Sequence, residues 1–145
     1  MSLTKWEENG WLRAQPTSRD EIRNLLTIAE RDMQDARGGV STDWQFGIAY
    51  NAALKLCTIL LRASGYRTFS GDHHRRTIMA LPDVLGSDWQ EDAEYLDACR
   101  MKRNTLEYDY AGCTTEGDAR ELLEFIIRLK GAVLDRMRTN HPEYM

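Results

Sequence analysis

Apolar residues recur every three or four positions over most of the chain, which is the period of helices that bury one face. Ser18 followed by Glu21 has the form of a capping box, and Ile22, Leu25, Leu26, Ala29 and Met33 follow at helical spacing until Gly38–Gly39 closes the segment. Thr42 with Gln45 opens a second helix through Trp44, Ile48, Ala52, Leu56, Ile59, Leu60 and Ala63 to Gly65. Ala49, Tyr50, Ala53 and Leu54 widen its stripe, so it is expected at the centre of the fold, with Trp44 and the methionines as packing residues. A third helix is expected from about Gly71–Asp72, carrying Ile78, Leu81 and Leu85, with Pro82 kinking or ending it. Ser87 or Asp88 caps a fourth, running from Trp89 to about Glu107. Thr115 with Asp118 opens the longest helix, which places Leu122, Ile126, Leu129, Val133 and Met137 along one side.

These elements predict an all-α fold: an up-and-down bundle of four main helices, with a short N-terminal helix and additional short helices. Residues 1–17 read as an N-terminal arm or short helix in which Trp6 and Trp11 pack on the bundle. Residues 18–139 read as the bundle, and 140–145 as a frayed tail with an exposed His141. The 145 residues suffice for one ordinary core. No 18-residue stretch is free of charge, Lys55 and Arg62 interrupting the most apolar helix, and no signal pattern opens the chain. Cys57, Cys99 and Cys113 form no CxxC pair and leave an odd count, which points to a reducing, cytoplasmic setting without a membrane. A net charge of −4 excludes coating of nucleic acid by bulk charge but leaves room for a local basic site.

No Glu-x-x-His, HExxH, phosphate-cradling glycine loop or GxSxG elbow occurs, so neither a metal nor another cofactor is expected. The exception to the apolar pattern lies in the fourth helix. Trp89, Ala93, Leu96, Cys99, Arg103, Leu106 and Tyr110 trace one face, and Arg103 stands where an apolar residue is expected. Arg100, Lys102, Asn104, Tyr108 and Asp109 surround it, a set of guanidinium, ammonium and amide groups suited to phosphate or base-edge contacts. Two readings stand side by side. Arg103 either snorkels along the bundle or pairs with Glu107, or it holds a phosphate. Arg103 and Tyr108, five residues apart, lie roughly 140° apart on a straight helix, so they share a ligand only if the helix ends between them or a second subunit completes the site.

Asp72, His73, His74, Arg75 and Arg76 form a second polar cluster at a helix start. The reading preferred here has Asp72 capping the helix and the histidines exposed, with Arg75 and Arg76 as auxiliary phosphate contacts. The alternative has the histidines contacting phosphate or moving a proton.

At Arg103-Asn104-Thr105-Leu106-Glu107-Tyr108-Asp109-Tyr110 the sequence resembles the HEPN superfamily, whose motif reads Arg, a polar residue (often Asn), three further residues and His. The toxin partners of minimal (MNT) nucleotidyltransferases add a Tyr two residues later, where Tyr110 stands, while Tyr108 occupies the His position and departs from the pattern. The likeness extends over roughly Ser18 to Met137, through Tyr50-Asn51-Ala52-Ala53 and through His73 and His74 ahead of Ile78 and Leu81. The resemblance implies a homodimer that binds RNA or a nucleotide at a cleft between the two motifs. It also implies metal-independent ribonuclease activity in a toxin–antitoxin or stress-response setting, with an MNT-type nucleotidyltransferase as a partner.

By the same resemblance, Arg103 would hold the phosphate, Asn104 would orient it, and the residue at 108 would move the proton of the attacking 2′-hydroxyl. Tyr110 would support the site or be modified, and Arg100, Lys102, Arg75 and Arg76 would add phosphate contacts. A phenol with a reference pKa of about 10 is ionised in about one part per thousand at neutral pH, a handicap of roughly 4 kcal/mol for a ground-state base. Tyr108 therefore weakens the expectation of cleavage more than that of binding. The rival expectation is a non-catalytic helical dimerisation or protein-interaction module.

Overall fold

The computed structural model describes residues 2–108, 111–112 and 114–145; for 106–108 it describes the backbone alone. Ser2 caps α1 (Leu3–Glu8), whose Trp6 is buried. Strand β1 (Leu12–Ala14) follows, then α2 (Arg19–Asp35) and α3 (Thr42–Ala63). Strand β2 (Tyr66–Thr68) pairs antiparallel with β1, Leu12 facing Thr68 and Ala14 facing Tyr66. The remaining helices are α4 (His73–Met79), α5 (Leu81–Leu85), α6 (Gln90–Tyr108) and α7 (Glu116–Asn140). The fold is an all-α helical bundle with one small two-stranded sheet.

The central helix is α3, which packs against α2, α4, α5, α6 and α7. Tyr50, Leu56, Ala52 and Ala53 are fully covered. By length and composition α3 is also apolar enough to cross a membrane, but 67% of its apolar window is buried inside the bundle. Ala29 and Ile22 of α2, Leu96 of α6, and Leu122, Ile126, Leu129 and Val133 of α7 complete the main core. Trp6, Leu12, Leu61 and Ala80 form a second cluster that fastens the N-terminal arm to the bundle.

Two of the caps the sequence announces form, those of α2 and α7, while Ser87 and Asp88 lie in a 3-10 turn ahead of α6. At α7 the full capping box forms, with Thr115 accepting from the Asp118 N–H and Asp118 accepting from the Thr115 N–H, both at 3.0 Å. At α2 only half of it forms: Ser18 accepts from the Glu21 N–H, while the Glu21 carboxylate reaches across to Arg62 on α3. An ion pair between helices has replaced the reciprocal cap.

Several expectations require correction. Ser41, not Thr42, caps α3, because its hydroxyl accepts from the Trp44 N–H. Trp44 is 61% exposed, since Phe46 and Gly47 are the first-turn neighbours turned to the core, and Met101 is exposed as well. Asp72 occupies the N-cap position of α4 but takes a left-handed conformation (φ 48°), so its side chain makes no capping bond. The third helix is two: the chain breaks at Ala80 and Pro82 falls in the first turn of α5, where its missing N–H is no loss. The tail is docked rather than frayed. Tyr144 and Met145 pack on the core, and the Met145 carbonyl accepts from Arg19 (2.9 Å) and Arg23 (3.4 Å). His141 is half-buried against Tyr144. Strands β1 and β2 were not expected at all.

Candidate functional site

Ala93, Leu96 and Cys99 of α6 are buried as their spacing requires, and Arg103 continues their line at the edge of the core. Its guanidinium carbon lies 5.6 Å from the ring centroid of Tyr50 on α3. The Tyr50 ring is covered, and its hydroxyl is hydrogen-bonded to Nδ1 of His74 on α4 at 3.5 Å, with the two rings tilted at 6.3 Å. Three helices thus bring an arginine, a phenol and an imidazole together.

The electrostatics follow from this packing. Burial raises the Tyr50 phenol well above its ordinary value, against an opposing pull from Arg103 and Arg100. The phenol therefore stays protonated and remains a donor. Burial also lowers His74 below 6.5, and Arg103, Lys55, Arg100 and His73 lower it further. His74 is neutral at neutral pH, and the ring sits in a positive local potential on a protein whose net charge is −4. Arg100 Nε is bound to Asp97 at 2.7 Å, one turn back on α6. What the arrangement can do is hold an anion: guanidinium groups for oxygens, a fixed phenol behind them, and a neutral imidazole able to accept a proton.

The expected site residues separate into groups. Arg100 and Arg103 lie with Tyr50 and His74. Lys102 turns away, its ammonium 2.7 Å from Asp118 at the start of α7 and 5.9 Å from the Phe46 ring centroid. Asn104 is half-buried, roughly 100° around the helix from Arg103. Arg76 faces the N-terminal arm instead, 5.2 Å from the Trp11 ring centroid and bonded to the Phe69 carbonyl at 3.0 Å, and Arg75 lines a cleft with the same tryptophan. His73 Nδ1 lies 2.7 Å from the Thr68 hydroxyl. The side chains of Leu106, Glu107 and Tyr108, and all of Asp109, Tyr110 and Cys113, lie outside the described residues.

Helix α6 continues through Tyr108, so it does not end between Arg103 and that residue. Among the described residues, no three His, Cys, Asp or Glu side chains are placed to hold a metal ion. Tyr50 and Lys55 were missed as site residues because both sit in a helix that reads as core. The usable signal was the Tyr50 hydroxyl, which must find a partner once its ring is buried. No protein-family model matches the chain, and neither a curated protein nor a solved structure is significantly similar to it. Fold and site therefore define the class by themselves: an all-α bundle with an arginine–tyrosine–histidine cluster where α3, α4 and α6 meet.

Proposed function

We propose that this chain is a HEPN-like domain that binds RNA or a nucleotide through a phosphate held at Arg103 and Arg100. One observation carries the reading: the Arg103 guanidinium lies on the same Tyr50 ring whose hydroxyl binds His74. The aromatic face fixes the direction of the cation, and fixing a cation in advance lowers the ordering cost of binding an anion. The resemblance in the Arg103-Asn104 motif supplies the nature of the anion.

Because α6 runs unbroken through Tyr108, a site that uses both Arg103 and Tyr108 draws them from two protomers, and a homodimer is part of the proposal. A metal-independent cleavage step would need a proton acceptor. His74, neutral beside Arg103, is the group in the described site able to serve, which offsets the poor basicity of a phenol at 108. The toxin setting and an MNT-type partner rest on the resemblance alone.

Fluorescence anisotropy with single-stranded RNA in EDTA tests the reading. Arg103→Ala should weaken binding by about tenfold, the value of one charge-assisted phosphate contact. Arg128→Ala, whose guanidinium is paired with Asp92 and stacked on Trp89, outside the Tyr50–His74 cluster, should leave binding unchanged, and both variants should keep the helical circular dichroism. Equal affinity of wild type and Arg103→Ala would remove Arg103 from the site.

A further inference from the structure

A second concave site lies on the other side of α4. Trp6 and Trp11 of the N-terminal arm, with Asp72, Arg75, Arg76 and Met79, line a cleft of about 220 Å³. The two indoles meet edge to face, with centroids 5.4 Å apart at 86°. Arg76 is set against Trp11 at 5.2 Å and held there by the Phe69 carbonyl and the Ser70 hydroxyl. The turn that leads into the cleft is unusual. Ser70, Gly71 and Asp72 all have positive φ, and Ser70 is tied to the Gly10 carbonyl at 2.7 Å.

Two exposed charges of this cleft, and one buried donor on a tryptophan that lines it, make no bond that holds the fold. The Asp72 carboxylate makes no capping bond, and among the described residues neither it nor the Arg75 guanidinium enters a hydrogen bond or ion pair. The Trp6 indole N–H, on a side chain only 8% exposed, is buried with no hydrogen-bond partner among the described residues. Two indoles walling a cleft with charges of both signs at its rim give the combination of apolar surface and a few polar groups that suits a small ligand.

We propose that this cleft binds a guanine nucleotide, with Asp72 taking the base edge and Arg75 the phosphate. The choice follows from donor and acceptor chemistry. A carboxylate accepts two hydrogen bonds side by side, and guanine is the base whose pairing edge presents two adjacent N–H donors. Indole and guanidinium surfaces are those on which bases stack. The volume is below the roughly 300–1,000 Å³ that houses a whole drug-sized ligand, so one ring system fits and the phosphate stays at the mouth with exposed Arg75. The proposal deepens the preceding reading and rests on it for the phosphate-bearing nature of the ligand. Asp72 and Arg75 stand close to His74 in the chain, so the start of α4 supplies residues to both sites.

Calorimetric titration with GMP, AMP, CMP, UMP and guanosine tests it, alongside oligouridine RNA with and without a single guanosine. GMP should bind at least about tenfold tighter than AMP, the lower range for one bidentate base contact. Asp72→Asn should bring GMP to the AMP level, and Arg75→Gln should weaken GMP while leaving guanosine unchanged. Both positions are exposed, and circular dichroism checks that the variants fold. Tighter binding of the guanosine-bearing RNA than of plain oligouridine assigns the base to RNA. Preference confined to GMP assigns it to a free nucleotide. Equal affinity for all four nucleotides, or a GMP preference that survives Asp72→Asn, overturns the proposal. If GMP shows no preference while Arg103→Ala still weakens RNA binding, this inference alone fails. If GMP preference holds while Arg103→Ala binds RNA as wild type does, the preceding reading alone fails.

Discussion

Arg103 follows Cys99 on the buried line of α6 and spreads its guanidinium over Tyr50, so the cation stays at the rim while its stem covers the core. Its charge acts on His74, the imidazole bonded to the same phenol. His74 is lowered first by burial and then by Arg103, Lys55, Arg100 and His73. Its folded value lies below 6.5, so as pH falls the unfolded chain takes up a proton before the folded one does. Stability is therefore lost as pH drops below 6.5 towards the folded value, and His74 contributes no such loss above 6.5. Arg103→Ala removes one of the repulsive charges, so the NMR titration midpoint of the His74 ring should rise. An unchanged midpoint would mean that the guanidinium does not act on that ring. The exception on the apolar stripe was legible in the sequence. Its company was not, because which residues meet Arg103 depends on how α3 and α4 lie against α6, and periodicity carries no such information. The same ignorance grouped Arg75, Arg76 and Lys102 with Arg103, whereas the fold sends the first two to the tryptophan cleft and the third to Asp118.

Helices were the most legible elements because their signals are local. The Thr115–Asp118 box opens α7 as its sequence announces, and the Asp118 carboxyl is held down to about 2 by Lys102 and by the Thr115 backbone N–H. Thr115→Ala removes the hydroxyl acceptor and should cost about 1 kcal/mol in urea unfolding, the usual value of an N-cap. No change in the unfolding midpoint would show that α7 is held by its packing alone. The Ser18 cap was also read correctly, but Glu21 was not: a carboxylate chooses between a local N–H and a distant arginine, and the arginine is on another helix. Strands β1 and β2 escaped for a similar reason. Each has three residues, too few for an alternating pattern to show, and their pairing joins distant parts of the chain. The tail misled in the opposite sense, its polar composition concealing Tyr144 and Met145 against the core.

For the molecule as a whole, an acidic chain carries a small cationic site, and the position of that site along α6 bears on assembly. By helical spacing positions 103 and 108 of α6 fall roughly 140° apart, so the proposed site built from both requires two copies. Sedimentation at micromolar concentration should show a dimer, and a monomer throughout would sink the two-subunit cleft while leaving the Arg103 cluster intact. The role proposed for this cluster is to bind the phosphate of RNA or a nucleotide. The most direct test is RNA affinity measured over a range of salt concentrations for wild type and Arg103→Ala. Phosphate contacts release counterions, so wild-type affinity should fall steeply with salt. Loss of one contact should reduce the log–log slope by about one while weakening binding across RNA sequences alike. A slope that is flat in wild type, or identical in the two proteins, would rule out a phosphate contact at Arg103.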